Sequence, residues 1–154
     1  MDPQDGHRHF SVDCFNQVWS LLDKSDRSAE DDRLMREMAH ASLYHWLQRS
    51  DGNAENLSIG LWQISRVHAV LGEGDVARRY AEECLRISEG SELSPFYRGY
   101  ALEAVARAAK LLQDEDGFAQ AMRSADAEHS KVKDAESKAM LGKDLSDLGS
   151  SSSS

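Results

Sequence analysis

The run "MAHASLYHWL", Met38 to Leu47, carries two histidines and a tryptophan but no Asp, Glu, Lys or Arg. Imidazole titrates near neutrality and ligates metals, so His40 and His45 are the first groups to weigh for acid–base or metal chemistry. Their spacing speaks against a joint metal site. At ~100° per residue, positions five apart point about 140° away from each other. The favourable ligand spacing on one helix is i to i+4, as in H-E-x-x-H. His40 instead shares a face with Tyr44, and His45 shares one with Met38 and Ala41. Each imidazole should therefore meet a different neighbouring helix. The preferred reading is two packed histidines hydrogen-bonded to backbone or polar partners.

A second polar group lies further along. Trp62 and Arg66 are four apart, which lets the guanidinium lie over the indole. Glu103 and Arg107 are also four apart, in the favourable order for an ion pair, and Tyr100 lies close to their face. As ordinary surface pairs they are worth about 0.2–0.5 kcal/mol each. There is no G-x-S-x-G, no Walker loop, no dinucleotide fingerprint and no zinc signature. The glycines of "LGEGD" fall between two helices and read as a turn. An enzyme would need His40 or His45 to meet Glu103, Arg66 or Arg107 in one pocket. Nothing in the sequence asks for a metal or a cofactor.

The cysteines carry no redox or metal pattern. Cys14 and Cys84 are far apart, belong to no C-x-x-C pair and fall on apolar helix faces. They read as reduced, packed thiols of a cytoplasmic protein. His7 and His9 flank an arginine in "MDPQDGHRHF", read as a flexible tail over residues 1–9. The terminal serines place residues 149–154 in a disordered tail.

The elements that must position these groups are helical. A chain of 154 residues suits one domain, here residues 10–148, and its 40% hydrophobic content can supply a core. Its formal net charge of −9 opposes phosphate backbones and anionic lipid, so neither nucleic acid nor membrane is an expected partner. No run is long enough to span a bilayer. Apolar residues recur at spacings of three and four, no alternating strand stands out, and about seven helices follow.

The first helix is predicted after Ser11, with Val12, Phe15, Trp19 and Leu22 on one stripe. Ser28 with Asp31 forms a capping-box pattern for the second. Asn53 should cap the third, and Ser94-Pro95 should start the fifth. The fifth is rich in Gly and Ala, which suits a central helix. The sixth is expected from about Phe118, and the seventh presents Leu141, Leu145 and Leu148 on one side. Short turns between helices of similar length imply antiparallel hairpins.

Two segments resemble each other. "LWQISRVHAVLGEGDVARRYAEECLRI" and "LEAVARAAKLLQDEDGFAQAMRSADA" each hold an apolar helix, a short acidic turn with glycine and an amphipathic helix. Leu61, Ile64, Ser65 and His68 match Leu102, Val105, Ala106 and Ala109, an offset of 41 (102 − 61). In this pattern, over Leu57 to Ala127, the chain resembles the tetratricopeptide-repeat family. Leu61 stands at the family's Trp, Ile64 at its Leu, Ser65 at its small residue, His68 at its Tyr and Ala77 at its later Ala. Ala81 stands where the family has an aromatic, and the offset exceeds the usual ~34 residues.

The resemblance implies a superhelical stack whose first helices line a groove. It would set Trp62 and Arg66 beside Tyr100, Glu103 and Arg107, suited to a peptide carboxylate or acidic segment. The expected function is binding of a protein or peptide partner in that groove. The alternative is a small-molecule-binding protein or enzyme with a His/Glu/Arg pocket between helices. A third reading is a structural or self-associating module, a homo-oligomer.

Overall fold

A computed structural model describes residues 2–150 of the chain. Seven α-helices follow one another: α1 Pro3–Leu22, α2 Ala29–Gln48, α3 Ala54–Val70, α4 Gly74–Gly90, α5 Pro95–Leu111, α6 Glu115–Lys131 and α7 Ala135–Ser150. Among the described residues there is no strand. The fold is the all-α stack of hairpins that the periodicity implies. α1 packs on α2, α3 on α4 and α5 on α6, while α7 closes the stack against α5 and α6. Neighbouring hairpins meet through α2 on α3, α4 on α5 and α3 on α5.

Local chemistry sets most helix ends. Ser28 and Asp31 form a reciprocal capping box, as do Asn53 and Asn56. Ser94 is the N-cap of α5, with Pro95 in its first turn, but its hydroxyl makes no capping bond. Three helices end in the same left-handed turn. Gly72, Glu92 and Gln113 have φ of 79°, 52° and 60°. Behind each, the next amide returns to a carbonyl five residues earlier: Glu73 to His68, Leu93 to Ser88, Asp114 to Ala109. These are Schellman closures, which satisfy carbonyls left open at a helix end. Only Gly72 adopts that φ without a side-chain penalty.

The first helix differs from expectation. It starts at Pro3, not after Ser11, so residues 3–9 form its first two turns and not a flexible tail. Asp2 caps it by accepting from the Gln4 amide at 3.1 Å. Gln4 then ties the helix to the end of α2, donating to the Gln48 carbonyl and accepting from the Ser50 amide, both at 2.9 Å. At the other end, α7 runs through Gly149 and Ser150. The rest of the expected serine tail, 151–154, lies outside the described residues.

The repeat offset holds in the helices themselves. α3 and α5 start 41 residues apart (95 − 54), as do α4 and α6 (115 − 74), and all four are 17 residues long. The core is a row of local clusters. Val18, Met35, Met38, Ala39, Ile64 and Val67 join α1, α2 and α3. Leu61, Cys84 and Ala101 join α3, α4 and α5. Ala125, Val132, Leu141 and Leu145 join α6 to α7. α5 is central because its buried face is small: Ala101, Ala104, Ala106, Ala108 and Ala109 are all buried. At Gly99 a Cβ would fall 2.5 Å from Cδ2 of the fully buried Leu141, so α7 sits where only glycine admits it.

Candidate functional site

α1, α3, α5 and α7 share one face of the stack, and a cleft of about 500 Å³ opens there. α1 contributes Phe15 and Trp19, and α3 contributes Ile59, Trp62 and Arg66. Phe96, Tyr97 and Tyr100 come from α5, Met140 and Asp144 from α7. The rings touch in sequence. Trp19 lies 5.6 Å from Trp62, Trp62 5.5 Å from Tyr100, and Tyr100 5.1 Å from Phe96, centroid to centroid. The stripe spacing placed Phe15 and Trp19 on the packed face of the first helix. In the fold that face also borders the cleft, so both rings stay only partly buried.

The residues of the anticipated groove do converge, around a carboxylate. Glu103 is fully buried. Its Oε2 accepts from the Trp62 indole N–H at 3.0 Å. Its Oε1 accepts from Arg66 Nη2 at 3.0 Å and from Arg107 Nε and Nη2 at 2.9 and 2.6 Å. The Arg66 guanidinium also lies over the Trp62 ring, 5.0 Å from its centroid. A buried carboxylate is tolerated when charge-assisted bonds fill its lone pairs, and these do. Glu103 therefore fastens α3 to α5, and both guanidinium groups are engaged by it. Neither Glu103 nor Arg107 lines the cleft.

Tyr100 reaches α7, where its hydroxyl donates to Asp144 Oδ2 at 2.6 Å. Burial first, and then that carboxylate, push the phenol well above the ordinary tyrosine value, so it stays a donor. At the cleft floor, Cys84 donates its thiol to the Ser58 carbonyl at 3.3 Å. Burial raises that thiol to about 11, which leaves it a packed thiol and not a nucleophile.

No family model, curated protein or solved structure matches the chain. Its functional reading rests on its own geometry.

The two histidines of the charge-free run face different helices, each toward another histidine. His40 Nε2 lies 3.0 Å from His68 Nε2 on α3, and His45 Nδ1 lies 2.9 Å from His7 Nδ1 on α1. His68 Nδ1 lies 3.3 Å from Glu73 Oε1, which also accepts from Arg36 at 3.0 and 3.2 Å. A carboxylate only accepts, so neutral His68 carries its proton on Nδ1, and His40 donates to its Nε2. Tyr80 stacks on His68 at an interplanar angle of 4° and meets His40 edge-on. Burial holds His40, His68 and His45 below the ordinary histidine value. Neither His40 nor His45 lines the aromatic cleft. Among the described residues no group of three or more His, Cys, Asp or Glu could hold a metal ion.

Sequence reasoning singled out Trp62, Arg66 and Tyr100 but not Trp19, Phe96, Met140, Asp23 or Asp144. Trp19 read as part of the first helix's apolar stripe, and the spacing of Phe96, Met140, Asp23 and Asp144 set none of them apart. Which helix face stays open depends on how the hairpins stack, and no local pattern states that.

Proposed function

We propose that the protein is a tetratricopeptide-like helical scaffold that binds a segment of another protein in the cleft between α1, α3, α5 and α7. The observation that carries this reading is the cleft itself. Six aromatic rings from three helices line a volume of about 500 Å³, with three charged side chains around them. Binding sites are built this way: a largely apolar concave surface with a few polar groups that orient the ligand. A cytoplasmic setting suits the two free thiols.

Removing Arg66 and Arg107 together would not test this reading, because both hold the buried Glu103. The informative variant blocks the cleft and spares the core. Ile59→Lys places a long cation on the half-buried cleft wall. Leu34→Lys places the same group at a 48% exposed position that lines no part of the cleft. A partner captured by the wild-type chain should be lost with Ile59→Lys and kept with Leu34→Lys. Equal capture by all three proteins, with unchanged melting curves, would contradict cleft binding.

A further inference from the structure

The charge of the cleft differs from what its arginines suggest. Arg66 is the one cation among the described lining residues, and it is held on Glu103. Counting the whole cluster, Glu103 with Arg66 and Arg107 carries one surplus positive charge. Against it stand two carboxylates, Asp23 at the end of α1 and Asp144 on α7. Neither makes an ion pair among the described residues. Among the described residues Asp144 accepts only the Tyr100 hydroxyl, on Oδ2, with no hydrogen bond to Oδ1. Elsewhere, acids on the same stack take a guanidinium: Glu73 from Arg36, Asp114 from Arg78, Glu128 from Arg98.

We propose that the cleft selects a cationic, apolar-flanked peptide segment, in which a Lys or Arg side chain lies against the Trp19 ring and meets Asp23 or Asp144. This rests on the cleft being the binding surface and adds the class of ligand. The chemistry is complementary on each count. Indole faces attract ammonium and guanidinium groups. The apolar stem of Lys or Arg packs on rings while its head stays with a carboxylate. Leucine, isoleucine or phenylalanine beside it would cover Ile59, Phe96 and Met140. An acidic segment would face two carboxylates that make no ion pair among the described residues, while Arg66 is already paired with Glu103. A second copy of this chain is a poor occupant for the same reason, since each copy carries a net charge of −9.

The test uses the full chain and one exposed position. Met140 lines the cleft yet is 52% exposed, so its charge can be changed without opening the core. A random twelve-residue peptide library is selected against the wild-type protein, and a recovered peptide is titrated against Met140→Glu, Met140→Lys and Trp19→Ala. The expected result is enrichment of Lys and Arg over Asp and Glu, next to aliphatic or aromatic residues. The peptide should bind Met140→Glu about 2- to 5-fold tighter and Met140→Lys weaker by a similar factor, the range of an exposed ion pair. Trp19→Ala should weaken it by roughly 10-fold or more, as loss of a central aromatic anchor does. Acidic peptides that prefer Met140→Lys would overturn the cationic assignment and leave the cleft reading standing. So would peptides sensitive to Trp19→Ala but indifferent to both Met140 variants. Indifference to all three folded variants would overturn the cleft reading as well.

Discussion

The junctions on either side of the α3/α4 hairpin occupy matching places in the 41-residue repeat, yet they are held by different chemistry. At the junction with α1/α2, His40 and His68 join α2 to α3, with Glu73 and Arg36 behind them. At the junction with α5/α6, the place of His68 is taken by Ala109, and the buried polar link is Glu103 with Trp62, Arg66 and Arg107. One shared feature survives at the turns. Glu73 and Asp114 stand 41 apart (114 − 73), and each takes an arginine from the hairpin before it, Arg36 and Arg78. The first junction is therefore held in part by imidazoles, which burial lowers below the ordinary histidine value. The second is held by a buried carboxylate and two guanidinium groups. The helical frame fixes where a polar link is needed, and different side chains can supply it.

The largest way to break this contrast is Glu103→Ala. It leaves two partly buried guanidinium groups and an indole N–H without their fully buried acceptor. Unfolding in urea should show a loss of about 3–5 kcal/mol, as when one partner of a buried pair is removed. Glu103→Gln keeps the shape and an acceptor and should lose less. A loss under about 1 kcal/mol for the alanine variant would mean that the link is not structural.

A smaller effect separates the junctions by pH. Burial lowers His40 and His68 in the folded chain. The groups facing them are Arg36 and Glu37 from α2, Arg79 and Tyr80 from α4, and Glu73 at the turn. A histidine with a lowered folded-state value takes up its proton more readily when unfolded. Its stability contribution is thus complete above its unfolded value of ~6.5. It is lost as the pH falls through that value toward the folded one. Protonating both rings also sets two N–H groups against each other where one bond now lies. His45, lowered by burial and by His7, acts in the same direction. Urea midpoints should therefore drop between pH 7.5 and 5. His68→Ala, which copies Ala109 of the other hairpin, should be less stable at pH 7.5 but have a flatter pH response. An unchanged slope would move the titration away from this junction.

The smallest effects lie at the turns. Arg78 and Asp114 are both about a third exposed or more, so solvent screens the pair, and Arg78→Ala should cost about 1 kcal/mol or less. Arg36→Ala should cost somewhat more, because Glu73 also accepts from His68. Equal, near-zero losses would leave the arginine–turn pairs without structural weight.

What the sequence disclosed follows from the range of each interaction. Helix periods, the Ser28 and Asn53 caps and the Leu141, Leu145 and Leu148 stripe are local, and all were legible. The start of α1 was signalled by Asp2-Pro3, the same kind of acceptor-then-proline pair as Ser94-Pro95, but the polar tail obscured it. The partners of His40 and His45 lie 28 and 38 residues away and depend on hairpin stacking. The i, i+4 spacing of Glu103 and Arg107 described a surface pair, whereas α3 covers the carboxylate completely. Trp62, Arg66 and Tyr100 could be named as cleft residues. Asp23 and Asp144, which set its charge, could not, because nothing local separates them from the other surface acids.

The chain's three tryptophans test the cleft most directly. Trp19 and Trp62 line it, while Trp46 lines a neighbouring pocket with Phe15 and Ile59, beneath the Arg49 guanidinium at 4.0 Å. Each gives one indole N–H signal in a nitrogen-15 correlation spectrum. On titration with a peptide recovered by selection, the Trp19 and Trp62 signals should move together and saturate, with Trp46 moving less than either. Movement of Trp46 alone, or none at Trp19 and Trp62 at saturation, would contradict the account.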